Sequence, residues 1–274
     1  MSVALVAGAF DDLRSRDVRF LQEAARLGEV SVLLWSDERV RAATGAPPRF
    51  GYDERRYLVG ALRWVRHAHP YGDDHGPDAL PDISLEVLKP DVWVVRAEED
   101  TPGRRAFCRA RGVAYHVLDD ACLAGFPARP AEAVSEPDRP RVVVTGCFDW
   151  FHSGHVRFLE EAATHGELHA IVGHDANIRL LKGEGHPLFP EEERCYMVDS
   201  VRHVHRAHTS TGHGWIDAAP EIERLRPAFY VVNEDGDRPE KRAFCAERSI
   251  GYVVLEREPK EGLPSRRSTD LRGY

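Results

Sequence analysis

With 274 residues, 42% of them hydrophobic and 30% charged, the chain has material for two cores of ordinary domain size under a soluble surface, which excludes a fibre and a disordered tail. The formal net charge of -8 argues against a nucleic-acid partner but is compatible with a local basic pocket for phosphate. Five cysteines, an odd number without close paired spacing, argue against a disulfide framework and against a zinc site, so no protein-held metal is expected.

In chain order, the apolar start at 3–6 is interrupted too soon by Asp11 and Asp12 to be a signal peptide or a membrane span, so a cytoplasmic protein with no membrane partner is expected. Pro127, Pro130, Pro137 and Pro140 fall in a stretch without apolar period. This predicts a semi-extended linker at 127–139 between domains at 1–126 and 140–274. Beyond it, 142–144 reads as a buried parallel strand and 155–164 as a helix with Val156, Leu159 and Ala163 on its apolar face. The next strand is predicted at 168–173, a helix introduced by Pro190 and Glu191 at 190–204, a polar loop at 208–215, and strands at 228–232 and 252–255. Strand, helix and strand make a right-handed βαβ unit whose ligand crevice lies at the carboxyl ends of the strands. The glycine turn at Gly146 falls at that crevice.

A long segment occurs twice. Residues 8–25 (GAFDDLRSRDVRFLQEAA) and 146–163 (GCFDWFHSGHVRFLEEAA) share eleven identities in eighteen positions at an offset of 138. Residues 54–57 parallel 193–196, and 88–108 parallel 225–245, so both halves are expected to share one fold. Their chemistry differs. Where the second half has His152, Gly154 and His155, the first has Arg14, Arg16 and Asp17. Losing both imidazoles and gaining a carboxylate that would repel phosphate marks 1–126 as a degenerate, noncatalytic copy, the alternative being that Arg14 and Arg16 bind a different anion.

The pattern Gly146-Cys147-Phe148-Asp149-Trp150-Phe151-His152-Ser153-Gly154-His155 resembles the nucleotidyltransferase family of cytidylyltransferases and of glycerol, ethanolamine, choline and heptose phosphate nucleotidylyltransferases. The tandem arrangement is similar to ethanolamine-phosphate cytidylyltransferases, although here the damaged copy comes first. The resemblance implies an α/β fold of two tandem Rossmann-like three-layer α/β/α domains with parallel sheets. It implies transfer of a nucleoside monophosphate from CTP to a small phosphorylated or phosphonate acceptor with release of pyrophosphate, and Mg2+ accompanying the triphosphate. ATP is the alternative donor, because the Cys-Phe-Asp, Leu-Lys-Gly and Glu-Arg blocks also resemble heptose-phosphate adenylyltransferases. A noncatalytic nucleotide-binding regulator is the competing class, and retention of the histidines with a basic and a hydroxyl block weighs against it.

In that frame His152 and His155 are expected to hydrogen-bond the phosphates and stabilise the charge of the transition state. Lys182 resembles the family's basic phosphate contact and is replaced by Thr44 in the first half, whereas Arg194 has the surviving counterpart Arg55. Gly146 and Gly154 permit close backbone approach, and Cys147, Phe148 and Asp149 complete the turn, with Asp149 either holding it or touching substrate. His174, Asp175 and Asn177 are expected on the nucleotide side. Ser268 and Thr269 resemble the family's C-terminal hydroxyl block, although Asp270 replaces its second threonine, and they are expected to cap a helix and hold phosphate. Asn233, Asp237 and Trp215 are expected around the acceptor. Pairing of two copies through the first half is the expected assembly.

Overall fold

The computed structural model describes residues 2–72, 76, 78–129, 139–268 and 271. The chain divides into two compact units, Met1–Gly125 and Phe126–Tyr274. The first contains β1 (Val3–Gly8), α1 (Ser15–Ala24), β2 (Glu29–Trp35), α2 (Asp37–Thr44), α3 (Tyr52–Gly60) and β3 (Val65–Tyr71), followed by α4 (Asp82–Leu88), β4 (Val92–Arg96), α5 (Pro102–Arg111), β5 (Ala114–Leu118) and α6 (Asp120–Leu123). The second contains β6 (Arg141–Gly146), α7 (Ser153–Ala162), β7 (Glu167–Val172), α8 (Asp175–Lys182), α9 (Glu191–Asp199), β8 (Arg206–Thr209), α10 (Ala219–Leu225), β9 (Phe229–Asn233), α11 (Pro239–Glu247) and β10 (Gly251–Leu255).

Each unit is a five-stranded parallel sheet, ordered β3-β2-β1-β4-β5 in the first and β10-β9-β6-β7-β8 in the second. Read from the opposite edge, the second order is the first, so the repeated sequence encodes a repeated topology. The fold is the expected α/β, Rossmann-like one. Strands covered on both faces need apolar residues on both, and Val142, Val143 and Val144 are all fully buried. On one face Val143, Ile171, Tyr230 and Val232 pack against Ile222 and Leu225 of α10 and Phe244 and Cys245 of α11. Cys108 and Cys245 are buried at matching positions, as their shared Ala-Phe-Cys context predicts. In each sheet the chain reverses direction of travel beside the first strand, between β1 and β4 and between β6 and β9. That switch point opens a crevice above the strand ends.

Several boundaries differ from the expected ones. Helix α7 starts two residues earlier, at Ser153, because the imidazole of His152 caps it by accepting the Gly154 N–H at 3.1 Å. Residues 175–182, to which the sequence pattern assigns no element, form α8, whose cap is again an imidazole, that of His174. Helix α9 stops at Asp199 rather than Val204, where the carboxylate accepts the Ala207 N–H at 2.8 Å and so ties the helix end to β8. Strand β8 itself lies where a polar loop was expected to begin. Phe126 packs on Tyr196 at 5.9 Å and Arg129 pairs with Asp199, so the residues on either side of the predicted linker start belong to the second unit. Residues 130–138 lie outside the described part. Among the described residues, no helix is long and apolar enough to cross a membrane.

Candidate active site

A cavity of about 560 Å³, in the size range of small-molecule sites, opens at the carboxyl ends of β6, β7 and β9. Its floor is the glycine turn after β6. A Cβ on Gly146 would sit 2.8 Å from the Phe148 ring, and Phe148 itself holds a left-handed φ of 51° to place that ring. On Gly154 a Cβ would sit 3.0 Å from the His152 ring, so a side chain there would press on the imidazole.

His152 and His155 stack, with ring centroids 3.9 Å apart and planes 19° from parallel. His152 is fully buried, while His155 lines the cavity between the rings of Phe148 and Phe151. Because Nδ1 of His152 accepts the Gly154 N–H, the neutral ring carries its proton on Nε2. That Nε2 and Nδ1 of His155 are buried without a hydrogen-bond partner. Orphaned polar atoms of this kind are costly, and a ligand that pairs them recovers the cost. Burial, reinforced by Arg257 and Arg266, lowers the His152 pKa to about 3, and burial also holds His155 well below the usual histidine range. Both rings are therefore neutral near pH 7. They can act as hydrogen-bond donors or acceptors, not as cations.

This depression has a consequence for stability. An unfolded chain restores an ordinary histidine with a pKa of about 6.5. Below that value the unfolded state takes up protons that the folded state refuses down to about 3. Stability is complete above about pH 6.5 and is lost as the pH falls through this window. Thermal melts between pH 7.5 and 5 are expected to fall less steeply for His152→Gln than for the parent, and equal slopes would contradict the burial argument.

Positive charge comes from several elements. Lys182, the last residue of α8, lines the cavity beside Cys147, together with Arg238, Lys241, Arg257 and Arg267. Lys241 had no sequence signal. It is 8% exposed, reaches Thr145 Oγ1 at 3.3 Å and the Gly236 carbonyl at 3.2 Å, and burial lowers its pKa. Cys147 also lines the cleft, with its thiol pKa pushed up by burial, which disfavours the thiolate a nucleophile needs. Ser268 lines the cleft and its Oγ donates to the Trp150 carbonyl at 3.3 Å. Thr269 and Asp270 lie outside the described residues. Asn233 lines the cavity where β9 ends, and Trp215, 46% exposed, stands at its side under the Arg238 guanidinium. Asn177 lines it too, pinned by two hydrogen bonds to Gly214.

Five expected contacts are placed elsewhere or serve the backbone. Arg194 is 1% exposed and does not line the cavity. Its guanidinium donates to the carbonyls of Phe189, Cys147 and Gly173 and pairs with Asp175 at 2.7 Å. Arg55 does the same with Phe50, Ala9, Trp35 and Asp37, so the residue is a staple of the fold common to both units. Asp175 is committed to that staple, and His174 spends Nδ1 on the Asn177 N–H and Nε2 on the Gly212 carbonyl. Asp237 is held bidentately by Arg242 and by the Tyr252 hydroxyl, a triad repeated as Asp100, Arg105 and Tyr115. Asp149 does line the cleft, but its Oδ1 accepts the N–H groups of Leu188 and Phe189, as Asp11 accepts those of Arg49 and Phe50. It holds the turn.

In the first unit the corresponding crevice is crossed by the chain's own side chains. Arg96, which replaces Asn233, pairs at 2.6 Å with Asp17, which replaces His155. The Arg96 guanidinium lies over the Phe20 ring, 4.4 Å from its centroid. Arg16, in the place of Gly154, pairs with Glu98 and Asp120, and Arg14 with Asp12. The carboxylate expected to repel phosphate is therefore neutralised internally.

The family model described as Cytidylyltransferase-like matches residues 143–242, which lie wholly within the second unit and contain the two histidines. An FAD synthase of Methanocella arvoryzae is 33% identical over 135 residues, covering 48% of this chain and 92% of that protein. An FAD synthase of Halorubrum lacusprofundi is 41% identical over 117 residues, covering 42% of this chain and 72% of that one. The bifunctional protein HldE of Geobacter sulfurreducens is 38% identical over 129 residues, covering 45% of this chain and 24% of that longer protein. The chain belongs to the cytidylyltransferase-like nucleotidyltransferase family.

Proposed function

We propose that the second unit is the catalytic one and transfers a nucleoside monophosphate, with ATP as donor, to a small phosphorylated or phosphonate acceptor. The observation that carries this reading is the stacked neutral pair His152 and His155, with orphaned ring nitrogens, beside a cleft lined by five lysine and arginine side chains. The motifs alone favoured CTP. The FAD synthases among the relatives are named for a product that contains adenylate, which supports ATP over CTP as the donor.

In this reading an acceptor phosphate or phosphonate oxygen attacks the α-phosphorus. One P–O bond forms as the bond to the β-phosphate breaks, and pyrophosphate leaves with that electron pair. No proton transfer is required, so alignment and charge stabilisation carry the rate. His155, Lys182 and Ser268 would meet the triphosphate, while Asn233, Trp215 and Lys241 border the acceptor side. Mg2+ would come with the triphosphate, which suits a cleft whose carboxylates have partners in the protein, Asp149 and Glu234 in main-chain N–H groups, Asp217 in Ser210 and Asp235 in Arg257. The bound ion supplies neutralisation of phosphate charge.

The test is magnesium-dependent pyrophosphate release from ATP and CTP separately, across flavin, sugar, polyol and amino-alcohol phosphates and phosphonates. Acceptor-dependent release with ATP at least tenfold faster than with CTP is the expected result. Release from CTP alone would overturn the donor assignment, and nucleotide binding without release across the panel would favour the noncatalytic regulator.

A further inference from the structure

At the far end of the second sheet from the cleft, three side chains converge that the nucleotidyl-transfer site does not use. Glu167 opens β7, His169 lies two residues on along the same face, and His205 immediately precedes the neighbouring edge strand β8. The main-chain N–H of His205 donates to the Leu168 carbonyl at 2.7 Å, which fixes the three in register. Nε2 of His169 lies 3.0 Å from Oε1 of Glu167, and Nδ1 of His205 lies 3.6 Å from Oε2. One ligand atom from each residue falls within 4.8 Å of the others. A tetrahedral zinc ion with bonds of about 2.0–2.1 Å keeps neighbouring ligand atoms roughly 3.3–3.4 Å apart, so the His169–Glu167 pair at 3.0 Å need open by only a few tenths of an ångström and the set, 4.8 Å across at most, need close by little more than an ångström. We propose that Glu167, His169 and His205 bind one divalent transition metal of the zinc class, with the fourth position open beside the partly exposed His205.

Two further observations support the site. Behind His169, its Nδ1 lies 3.1 Å from Nε2 of His208. With Nε2 on a metal, Nδ1 carries the proton and donates it to His208, the outer-shell hydrogen bond that orients ligating imidazoles. The sister unit builds the same strand pair without the two imidazoles. By strand register His169 corresponds to Ser31 and Arg206 to His67; a register shift between Val30 and Ser31 puts Val65 and Arg66, neither of them a metal ligand, where His205 stands, and Glu29 in place of Glu167 is exposed. The fold therefore does not require the cluster. Neighbouring cations leave room for it. The Arg129 guanidinium is committed to Asp199 and the His205 carbonyl, and Arg141, 3.9 Å from Glu167, is nearly half exposed and can swing outward. Arg224, 3.4 Å from Nδ1 of His208, would withdraw when that nitrogen takes the proton. Glu167 and Gly173 sit at opposite ends of β7, so the metal would staple β7 to the start of β8 and stand apart from turnover.

The test uses the full chain, without an affinity tag and stripped by chelator, titrated with Zn2+ by calorimetry and with Co2+ by visible absorption. One equivalent is expected, with Co2+ bands of four-coordinate intensity and a higher melting temperature in the metal-loaded protein. His205→Gln, folded by circular dichroism without metal, is expected to weaken binding by roughly a hundredfold and abolish those bands. His67→Gln in the first unit should change neither. Absence of a saturable equivalent at micromolar metal, or equal binding by His205→Gln, would overturn the proposal.

Discussion

Replacing His155 by leucine is expected to lower kcat for pyrophosphate release by about 10²–10³-fold, the usual cost of losing one hydrogen-bond donor to a charged transition state. The same substitution should leave the melting temperature unchanged or raise it. His155 sits between Phe148 and Phe151 with a buried Nδ1 that no protein group pairs. Deleting an unsatisfied polar atom in favour of apolar volume removes a desolvation cost. A histidine that served packing alone would give the reverse result, a lower melting temperature with kcat per folded molecule retained. Steady-state kinetics beside thermal melts of the same preparation separate the two. His152→Gln is expected to follow in kcat but to lose some stability, because His152 also caps α7 through the Gly154 N–H.

Arg194→Ala is expected to act on the fold, destabilising the second unit by about 3–5 kcal/mol, the range for removing one member of a buried, hydrogen-bonded charge pair. Three carbonyls and the Asp175 carboxylate would lose their donor together. Arg194→Lys should rescue little, because a lysine cannot span the fork of acceptors that the guanidinium meets. Arg55→Ala is expected to produce a comparable loss in the first unit, where three carbonyls and a carboxylate likewise surround it. Urea unfolding of the two variants, followed by probes in each unit, measures both. If Arg194→Ala unfolded like the parent and lost only kcat, the arginine would belong to the phosphate site.

The repeat, the parallel sheets and the position of the crevice were legible because strand and helix periodicity is local and the glycine turn marks the switch point. Helix α8 and strand β8 were not. The first is capped by an imidazole in place of a serine or aspartate, and the second is a short polar edge, Arg206–Thr209. The turn residues around His152 and His155 were legible as a linear motif, since the strand-to-helix turn brings them together without help from distant chain. Arg194, Asp237 and Asp149 were harder, because a charged residue near a phosphate motif reads the same whether it faces a ligand or a carbonyl. Their counterparts Arg55, Asp100 and Asp11 were the signal, since groups kept in the half without histidines serve what both halves share. Lys241 was invisible as one basic residue in a helix of mixed charge. Only the three-dimensional path of α11 brings it against Thr145.

One working nucleotide site in a duplicated chain is a claim about stoichiometry, and its most direct test is equilibrium titration of the full chain with ATP and magnesium. One equivalent is expected, with its affinity weakened in Lys182→Ala and unchanged in Arg96→Ala, which would break the Arg96–Asp17 pair in the first unit. Two equivalents, or one whose affinity falls in Arg96→Ala and not in Lys182→Ala, would contradict it.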